Sequence, residues 1–579
     1  MIVGIDLGTT NSLVSVWEGE GIRLIPNEFG EFLTPSVVSF DKDKNVIVGK
    51  TARERLITDP DNTVREFKRQ MGRDVKYNLG KAGSYTPVEL SAIVIKKLVA
   101  DAEKYIGEKV DSAVISVPAY FDDHQREATR IAGIKAGVKV TQLVNEPSAA
   151  ALSYHISHMD QDEKFIIFDF GGGTLDVTLV DAFDNVVEIC NISGDNSLGG
   201  KDFNEAIAMD ICSKADLEWL HLDKKEQAIL LNIAEGIKIA LSTEDEIETQ
   251  VTLKGKEFSY RLNRQELINI STPIFKKLTI VLKRLMNDAM LEIEDISGVI
   301  MVGGSSKMPI VRAYLESLFG GKVILDNDGD VAICRGVGIV TGINLRKEMV
   351  KDIVMTDICP FSLGVDVVGD VMSTIIPKNR TLPTSRTQRY YTVSDYQTKL
   401  TFNIYQGEKK TASSNLLLDT ITFDIPAKPS GEVYADVRFS YDLNGIFDID
   451  IFCPANKTSI QRHRGAAEGI DEETLNELNV RMEELKQDPR EIPEIKYLLN
   501  KAARMYEEGN EIQRRVLFDE MRKFDYILDE QSVDQCKKAA ISFSITLDNI
   551  EKTMFSFSGE GGDLWKELFE STDLDDEDK

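Results

Sequence analysis

At 579 residues the chain is too long for one hydrophobic core, so several domains are expected. Against 68 Lys and Arg stand 96 Asp and Glu, a net charge of −28 that argues against nucleic acid or an anionic membrane as the main partner. Six cysteines lie far apart with no CxxC pair, which indicates neither a zinc site nor a disulfide framework and fits a reducing cytoplasm.

The first strand is expected from Ile2, leaving no room for a signal peptide, and no apolar run is long enough to span a bilayer. Val3 to Val14 reads as a β-hairpin whose tip is Gly8, Thr9, Thr10 and Asn11. Such a tip lets backbone N–H groups converge as a phosphate nest, with hydroxyls as further donors. Asp6, ending the first strand, stands where a hydrated cation would bridge those phosphates.

Arg65 to Arg73 follows with the adjacent cations Lys68 and Arg69, by themselves a solvated basic turn. Ala113 to Val117 is a β-branched strand ended by Pro118, with a helix opening at Asp122 or Asp123. Gln142 to Val144 is another short strand, closing on Glu146 before a helix from Ser148 to Tyr154.

The hairpin pattern returns at Phe165 to Val177, where Asp169 repeats Asp6 and Gly171, Gly172, Gly173 and Thr174 form the tip. Two Gly-rich turns in an unrelated α/β protein would give a weaker match, because neither tip carries the Asn-Gly or Asp-Gly of an ordinary two-residue turn. A duplicated pair of lobes gripping one nucleotide is the economical explanation.

From Phe203 to Ser242 the chain reads mostly helical, with Glu235, Lys238 and Ser242 on one helix face. A helix from about Pro273 to Leu291 leads to Val299 to Val302, a buried strand followed by Gly303, Gly304 and a helix with Pro309 in its first turn, a third element suited to an anion or nucleotide. Strands alternating with helices predict an α/β region over 1–350.

Residues 351–357 form a short apolar connector that reads either as a docking linker or as an ordinary edge strand. From 358 to 463 the period is two, as in Leu400, Phe402 and Ile404, and Asn444-Gly445 marks a hairpin, so a β-sandwich is expected. From 464 to 558 the pattern is helical: Asp471 caps a helix with Leu475, Leu478, Met482 and Leu485 on one side. Residues 559–579 are a Gly-rich separator, a short amphipathic piece and an acidic tail.

In this order GIDLGTTNS, FKRQMGR, VPAYF, VNEPSAAAL, DFGGGTLDV, LGGKDF, VGGSSKMP and DICPFSLGV resemble the DnaK-type heat-shock chaperones, most like their HscC-type branch. The resemblance implies a multidomain α/β, all-β and α chain: an actin-like ATPase domain, a docking linker, a β-sandwich that binds extended peptides and a helical lid. It implies ATP or ADP with Mg²⁺ as cofactors, the phosphates held by Gly8, Thr9, Thr10, Asn11, Gly171, Gly172, Gly173 and Thr174, and the metal met through water by Asp6 and Asp169. Lys68, Glu146, Asp169 and Thr174 fall around the γ-phosphate and attacking water. Glu235, Lys238 and Ser242 match adenosine contacts, Gly199, Gly200, Gly303 and Gly304 pack near the nucleoside, and Asp330 aligns with an acid near it.

Pro118 and Arg126 correspond to a switch pair, and Asp352 and Val354 to the linker that relays nucleotide state. Val365, Val367, Tyr390, Leu400 and Phe402 fall where the family lines its peptide groove. The implied partners are unfolded or extended polypeptides, a J-domain co-chaperone and an exchange factor. Three departures stand out. Lys307 replaces an Arg that stacks on adenine, which implies weaker nucleotide affinity. Cys334 to Gly338 replaces Ala-x-Gly-Ala-Ala, which loosens the Asp330 alignment, and Gln142 replaces an Arg that meets the J-domain, which puts that contact in doubt. A small-molecule kinase or a filament-forming ATPase on the same actin-like core is the alternative, and neither has a use for the sandwich and lid.

Overall fold

The computed structural model describes residues 1–156, 163–183, 185–253, 256–325, 329–443, 445–464, 486, 489–509, 511–530 and 533–555. Asn444, the helix expected from Asp471 to Leu485, and the segment after residue 555 lie outside them. The described residues fall into two compact units divided near residue 471.

The first unit contains two sheets built to one plan. In the first lobe, Ile2–Asp6 pairs parallel with Ser112–Val117 and antiparallel with Asn11–Glu18, giving the order Lys139–Asn145, Ser112–Val117, Ile2–Asp6, Asn11–Glu18, Gly21–Leu24. In the second, Glu163–Phe170 pairs parallel with Gly298–Val302 and antiparallel with Leu175–Phe183, giving Val323–Leu325, Gly298–Val302, Glu163–Phe170, Leu175–Phe183, Val186–Asp195. Strand order and direction repeat, which is the duplication expected from the two hairpins. Each lobe has its own apolar core, one running from Val3 to Leu143 and one from Ile166 to Val323. A third core packs the helix Glu146–Ile156 against the helix Ala332–Asn344.

Local signals fix the elements that matter for the site. Asp122 forms a capping box with Gln125: its side chain accepts from the Gln125 amide at 2.9 Å and Gln125 accepts from the Asp122 amide at 3.0 Å. The box starts the helix Asp123–Ala136 and so places Arg126 on its first turn.

The connector continues the second sheet. Val354–Ile358 pairs parallel with Val186–Asp195 and antiparallel with Thr381–Leu382. The sandwich then stacks a sheet ordered Val371–Ile376, Leu363–Val367, Lys399–Gln406, Leu416–Asp424 on one ordered Thr384–Tyr391, Tyr434–Tyr441, Phe447–Cys453, Thr458–Arg464. Leu400, Phe402 and Ile404 point into its core and Thr401 outward, the alternation expected of a half-buried strand.

In the second unit the described helices Pro493–Glu508, Glu511–Glu530 and Val533–Phe555 bury Ile495, Met505, Leu517, Phe524, Phe543 and Leu547 among themselves. Phe524 and Phe543 stack with centroids 4.2 Å apart. No described helix is long and apolar enough to cross a membrane.

Candidate functional site

The two hairpin tips meet. A Cβ on Gly172 would lie 2.0 Å from Thr10 Oγ1, so this close approach tolerates glycine alone. Around the meeting point lies a cavity of about 470 Å³ lined from the first hairpin by Asp6, Gly8, Thr9, Thr10 and Asn11 and from the second by Asp169, Gly171, Gly172 and Thr174. Glu146, Glu235, Lys238, Gly303, Gly304, Lys307 and Asp330 also line it, so most of the residues singled out in the sequence converge on one place.

The remaining ones sit just behind the wall. Gly199 begins the helix Gly200–Lys214, and the Gly200 amide donates to the Gly171 carbonyl at 3.0 Å. Lys238 Nζ donates to the Gly200 carbonyl at 3.1 Å. The helix carrying Glu235 and Lys238 ends at Ala240, so Ser242 follows it, its Oγ donating to the Lys238 carbonyl at 3.4 Å. Lys307 and Asp330 form an ion pair with each other.

Lys68 is no solvated cation. It is 3% exposed and its Nζ donates to Glu146 Oε1 at 2.6 Å. The turn Phe67–Gln70 carries Lys68, and Glu146 opens the helix that follows the strand Lys139–Asn145.

Four buried carboxyls share this place: Asp6, Glu146, Asp169 and Asp176. Burial, then the charge of Glu146, pushes the Asp6 carboxyl up to about 7, with Lys68 and the Ser116 hydroxyl pulling the other way. The same two causes bring Asp176 to about 7. Asp169 stands well above the usual carboxylate range because it is buried beside Glu146, Asp176 and Asp6.

One lysine cannot balance four acids, so the donor set fits a cation. Among the described residues no three acidic, His or Cys side chains converge closely enough to ligate a metal directly, which suits an ion that keeps its water.

Asp176 was not singled out in the sequence. It pairs across the ladder with Asp169, and neither of its carboxyl oxygens has a hydrogen-bond partner among the described residues, although the Tyr120 amide is near enough to favour its charged form. Its counterpart in the first hairpin, opposite Asp6, is Leu13. That contrast between the two copies was the available signal.

A second polar group leads away from the cavity. Arg126 Nη2 donates to Asn145 Oδ1 at 2.6 Å, and its guanidinium also reaches the Ala119 and Phe121 carbonyls just beyond the buried Pro118. Asn145 Nδ2 and Ser148 Oγ both donate to Asp357 Oδ2, at 2.9 and 3.0 Å. Asp357 is buried, whereas Asp352 is exposed and Val354 is 48% exposed. Within the connector Asp357 carries the side-chain hydrogen bonds to Asn145 and Ser148, while Val354 opens the strand, pairing with Val186 and donating its amide to the Asn185 carbonyl at 2.8 Å. The sandwich touches the first unit's lobes directly: Lys378 Nζ donates to Asp288 Oδ2 at 2.9 Å, Gln406 Oε1 accepts from the Asp123 amide at 3.1 Å, and Phe361 meets Tyr120 edge-on at 5.1 Å.

Of the expected groove residues, Val365, Leu400 and Phe402 lie in the sandwich core, Tyr390 packs on it with its ring 5.6 Å from Phe402, and Val367 is exposed. Val368 and Val393, just past the strands Leu363–Val367 and Thr384–Tyr391, are 72% and 62% exposed. Gln142 accepts from Asn344 Nδ2 at 3.0 Å.

Comparison with known proteins agrees with this architecture. Residues 2–538 match the family described as Hsp70 protein. The chaperone protein DnaK of Nitrosopumilus maritimus is 36% identical over 77% of this chain and 72% of its own length. That of Picrophilus torridus is 39% identical over 77% of this chain and 75% of its own. That of Thermosipho melanesiensis is 33% identical over 95% of both.

Proposed function

This chain belongs to the Hsp70 family, and from that premise we propose how its residues couple ATP hydrolysis to the binding and release of extended apolar segments of unfolded polypeptide. It is an ATP-dependent chaperone and an ATP hydrolase; a kinase or filament protein on the same core is not favoured. Members of the family bind ATP or ADP with Mg²⁺ and work on unfolded chains with co-chaperones.

In our reading the nucleotide lies in the cavity between the lobes, its phosphates against the tips Gly8 to Asn11 and Gly171 to Thr174. Asp6 and Asp169 would hold a Mg²⁺ ion, whose charge would offset that of the phosphate oxygens. Lys68 Nζ balances charge that develops on the γ-phosphoryl group, and Glu146 keeps that ammonium in place. Water's oxygen bonds to the γ-phosphorus as the bond to the bridging oxygen of ADP breaks. Asp169 accepts the released proton on a carboxylate oxygen, and Asp176 stands opposite it across the ladder.

The observation that carries the coupling is the adjacency of Asn145 and Glu146. Glu146 holds the catalytic lysine, and Asn145 holds the connector through Asp357. A shift of Glu146 on hydrolysis therefore reaches the sandwich through one peptide bond. Clients would meet Tyr390, Val367, Val368 and Val393. With Gln142 neutral and bonded to Asn344, a J-domain partner would need to dock here without an arginine at that position.

Steady-state ATP turnover with and without a short apolar peptide tests the proposal, compared between the wild type and Asn145→Ala. Stimulation by peptide in the wild type and its loss in the variant are expected; equal stimulation in both would contradict the coupling.

A further inference from the structure

The helix Val533–Phe555 is apolar on two sides. Ala540, Phe543, Leu547 and Ile550 are buried in the core it shares with the helices Pro493–Glu508 and Glu511–Glu530. On the opposite side, one turn apart, Ile541 and Ile545 are 65% and 58% exposed. A single exposed apolar residue is ordinary, but two β-branched ones on successive turns form a strip that neither helix propensity nor solvation favours.

Charge gives the strip a direction. Lys537 and Lys538, both exposed, lie one turn before Ile541. Beyond Ile545 the charges are acidic and already engaged: Lys501 Nζ lies 2.6 Å from Asp548 Oδ1 and 2.8 Å from Glu551 Oε2, and Arg504 also pairs with Glu551. An occupant with one apolar face and one acidic end therefore fits in a single orientation.

The sequence that follows has this composition in this order. Leu564, Trp565, Leu568 and Phe569 have the spacing of one helix face, and Asp573, Asp575, Asp576, Glu577 and Asp578 come after them. Ile545 and Ile541 lie about 15 and 21 Å before the end of the helix, at 1.5 Å of rise per residue. Residues 556–563 span about 26–29 Å when extended, enough to return Leu564 to either isoleucine.

We propose that residues 564–578 dock in cis on the outer face of the helix Val533–Phe555, running antiparallel to it. Leu564 and Trp565 cover Ile545, Leu568 and Phe569 cover Ile541, and the acidic run continues to Lys538 and Lys537. The opposite orientation would carry those acids past Asp548 and Glu551. A tether of this length holds the segment at an effective concentration of about 1 mM, so the chain's own segment outcompetes that of a second copy at micromolar protein.

Acrylamide quenching of Trp565 in the full-length protein, taken as the difference between wild type and Trp565→Phe, tests the docking. The quenching constant is expected to be about 3- to 5-fold below that of a free peptide of residues 556–579. Ile541→Gln with Ile545→Gln should raise it to the value of the free peptide at unchanged helix content, and Lys537→Glu with Lys538→Glu should raise it part of the way. A photo-cross-linking p-benzoylphenylalanine in place of Trp565 should join to residues 533–555 of the same chain. Quenching in the wild type equal to that of the free peptide, or unchanged by the glutamine pair, overturns the proposal. If the glutamine pair loses helix content, the lysine pair decides, and unchanged quenching there overturns it. Cross-links between two copies would make a second copy the occupant, and shielding lost on adding a saturating apolar peptide would place the segment in the client site; either result overturns docking in cis.

Discussion

Asn145 and Glu146 are consecutive in the chain, yet Glu146, which lines the cavity between the hairpins, accepts from Lys68 while Asn145 donates to Asp357 of the connector. Two sites that must communicate are thus a single peptide unit apart, and Ser148, two residues on, adds a second bond to the same carboxylate. Allostery needs a two-state element with different contacts in each state, and the proposed cycle assigns that part to the strand Val354–Ile358, which lies between Val186–Asp195 and Thr381–Leu382.

Removing the connector's anchor should uncouple the halves. Asp357→Ala leaves Asn145 and Ser148 without their acceptor, a loss of about 1–3 kcal/mol from the docked state. Peptide-stimulated ATPase activity should fall to the unstimulated rate, whereas Asp352→Ala, at an exposed position, should leave stimulation intact.

The same carboxyl makes docking depend on pH. Burial raises the pKa of Asp357 above the usual carboxylate range, and the Ile358 amide, Arg126, Ser148 and Asn145 only partly offset this. The docked group binds its proton more tightly than the free one. Docking is therefore strongest below the usual carboxylate pKa, weakens as pH rises through the raised value, and levels off above it. Protection of residues 351–358 from protease across the acid range should follow that profile, and Asp357→Asn should flatten it.

Lys68→Ala should retain nucleotide binding and lose hydrolysis. Taking away the buried ammonium that pairs with Glu146 costs the transition state about 3–4 kcal/mol, or roughly 10²- to 10³-fold in single-turnover rate. Wild-type turnover in this variant would remove Lys68 from the catalytic group.

The sandwich contact at Lys378 and Asp288 can be tested by exchange of charge. The lysine side chain is 13% exposed and lies 2.9 Å from the carboxylate, so Lys378→Ala should weaken docking by about 1–2 kcal/mol. Lys378→Asp combined with Asp288→Lys should recover part of the coupling that either change alone removes, read as peptide-stimulated ATPase activity.

Lys307→Arg should tighten ADP binding by about 3- to 10-fold, since a planar guanidinium can stack on a base where an ammonium cannot. Equal affinity in isothermal titration would mean that the pairing of Lys307 with Asp330 takes the side chain away from the base.

Much of this architecture was legible in the chain because its constraints are local. A hairpin tip that must pack against another tip admits only small residues, and an acid one turn before it is visible by position, so Asp6 and Asp169 and the duplication they mark could be read directly. What escaped depends on distant contacts. Asp352 and Asp357 look alike in the sequence, and only the register of the connector against Val186–Asp195, with Asn145 beside it, decides which one is buried. From its neighbours alone Lys68 reads as a surface cation, and only the family resemblance set it beside Glu146 before the fold did. Asp176 reads as an ordinary strand acid until the ladder sets it opposite Asp169. Helical periodicity carried Ser242 past the end of its helix, because spacing says nothing about where the backbone stops.

The most direct test follows a bound apolar peptide labelled with a fluorophore, mixed rapidly with ATP and Mg²⁺ or with ADP and Mg²⁺. The account requires ATP to speed peptide dissociation at least about tenfold, equivalent to about 1.4 kcal/mol of coupling, and requires Asn145→Ala to abolish the difference. Equal dissociation rates with the two nucleotides in the wild type, where both nucleotide and peptide are shown to bind, would contradict it.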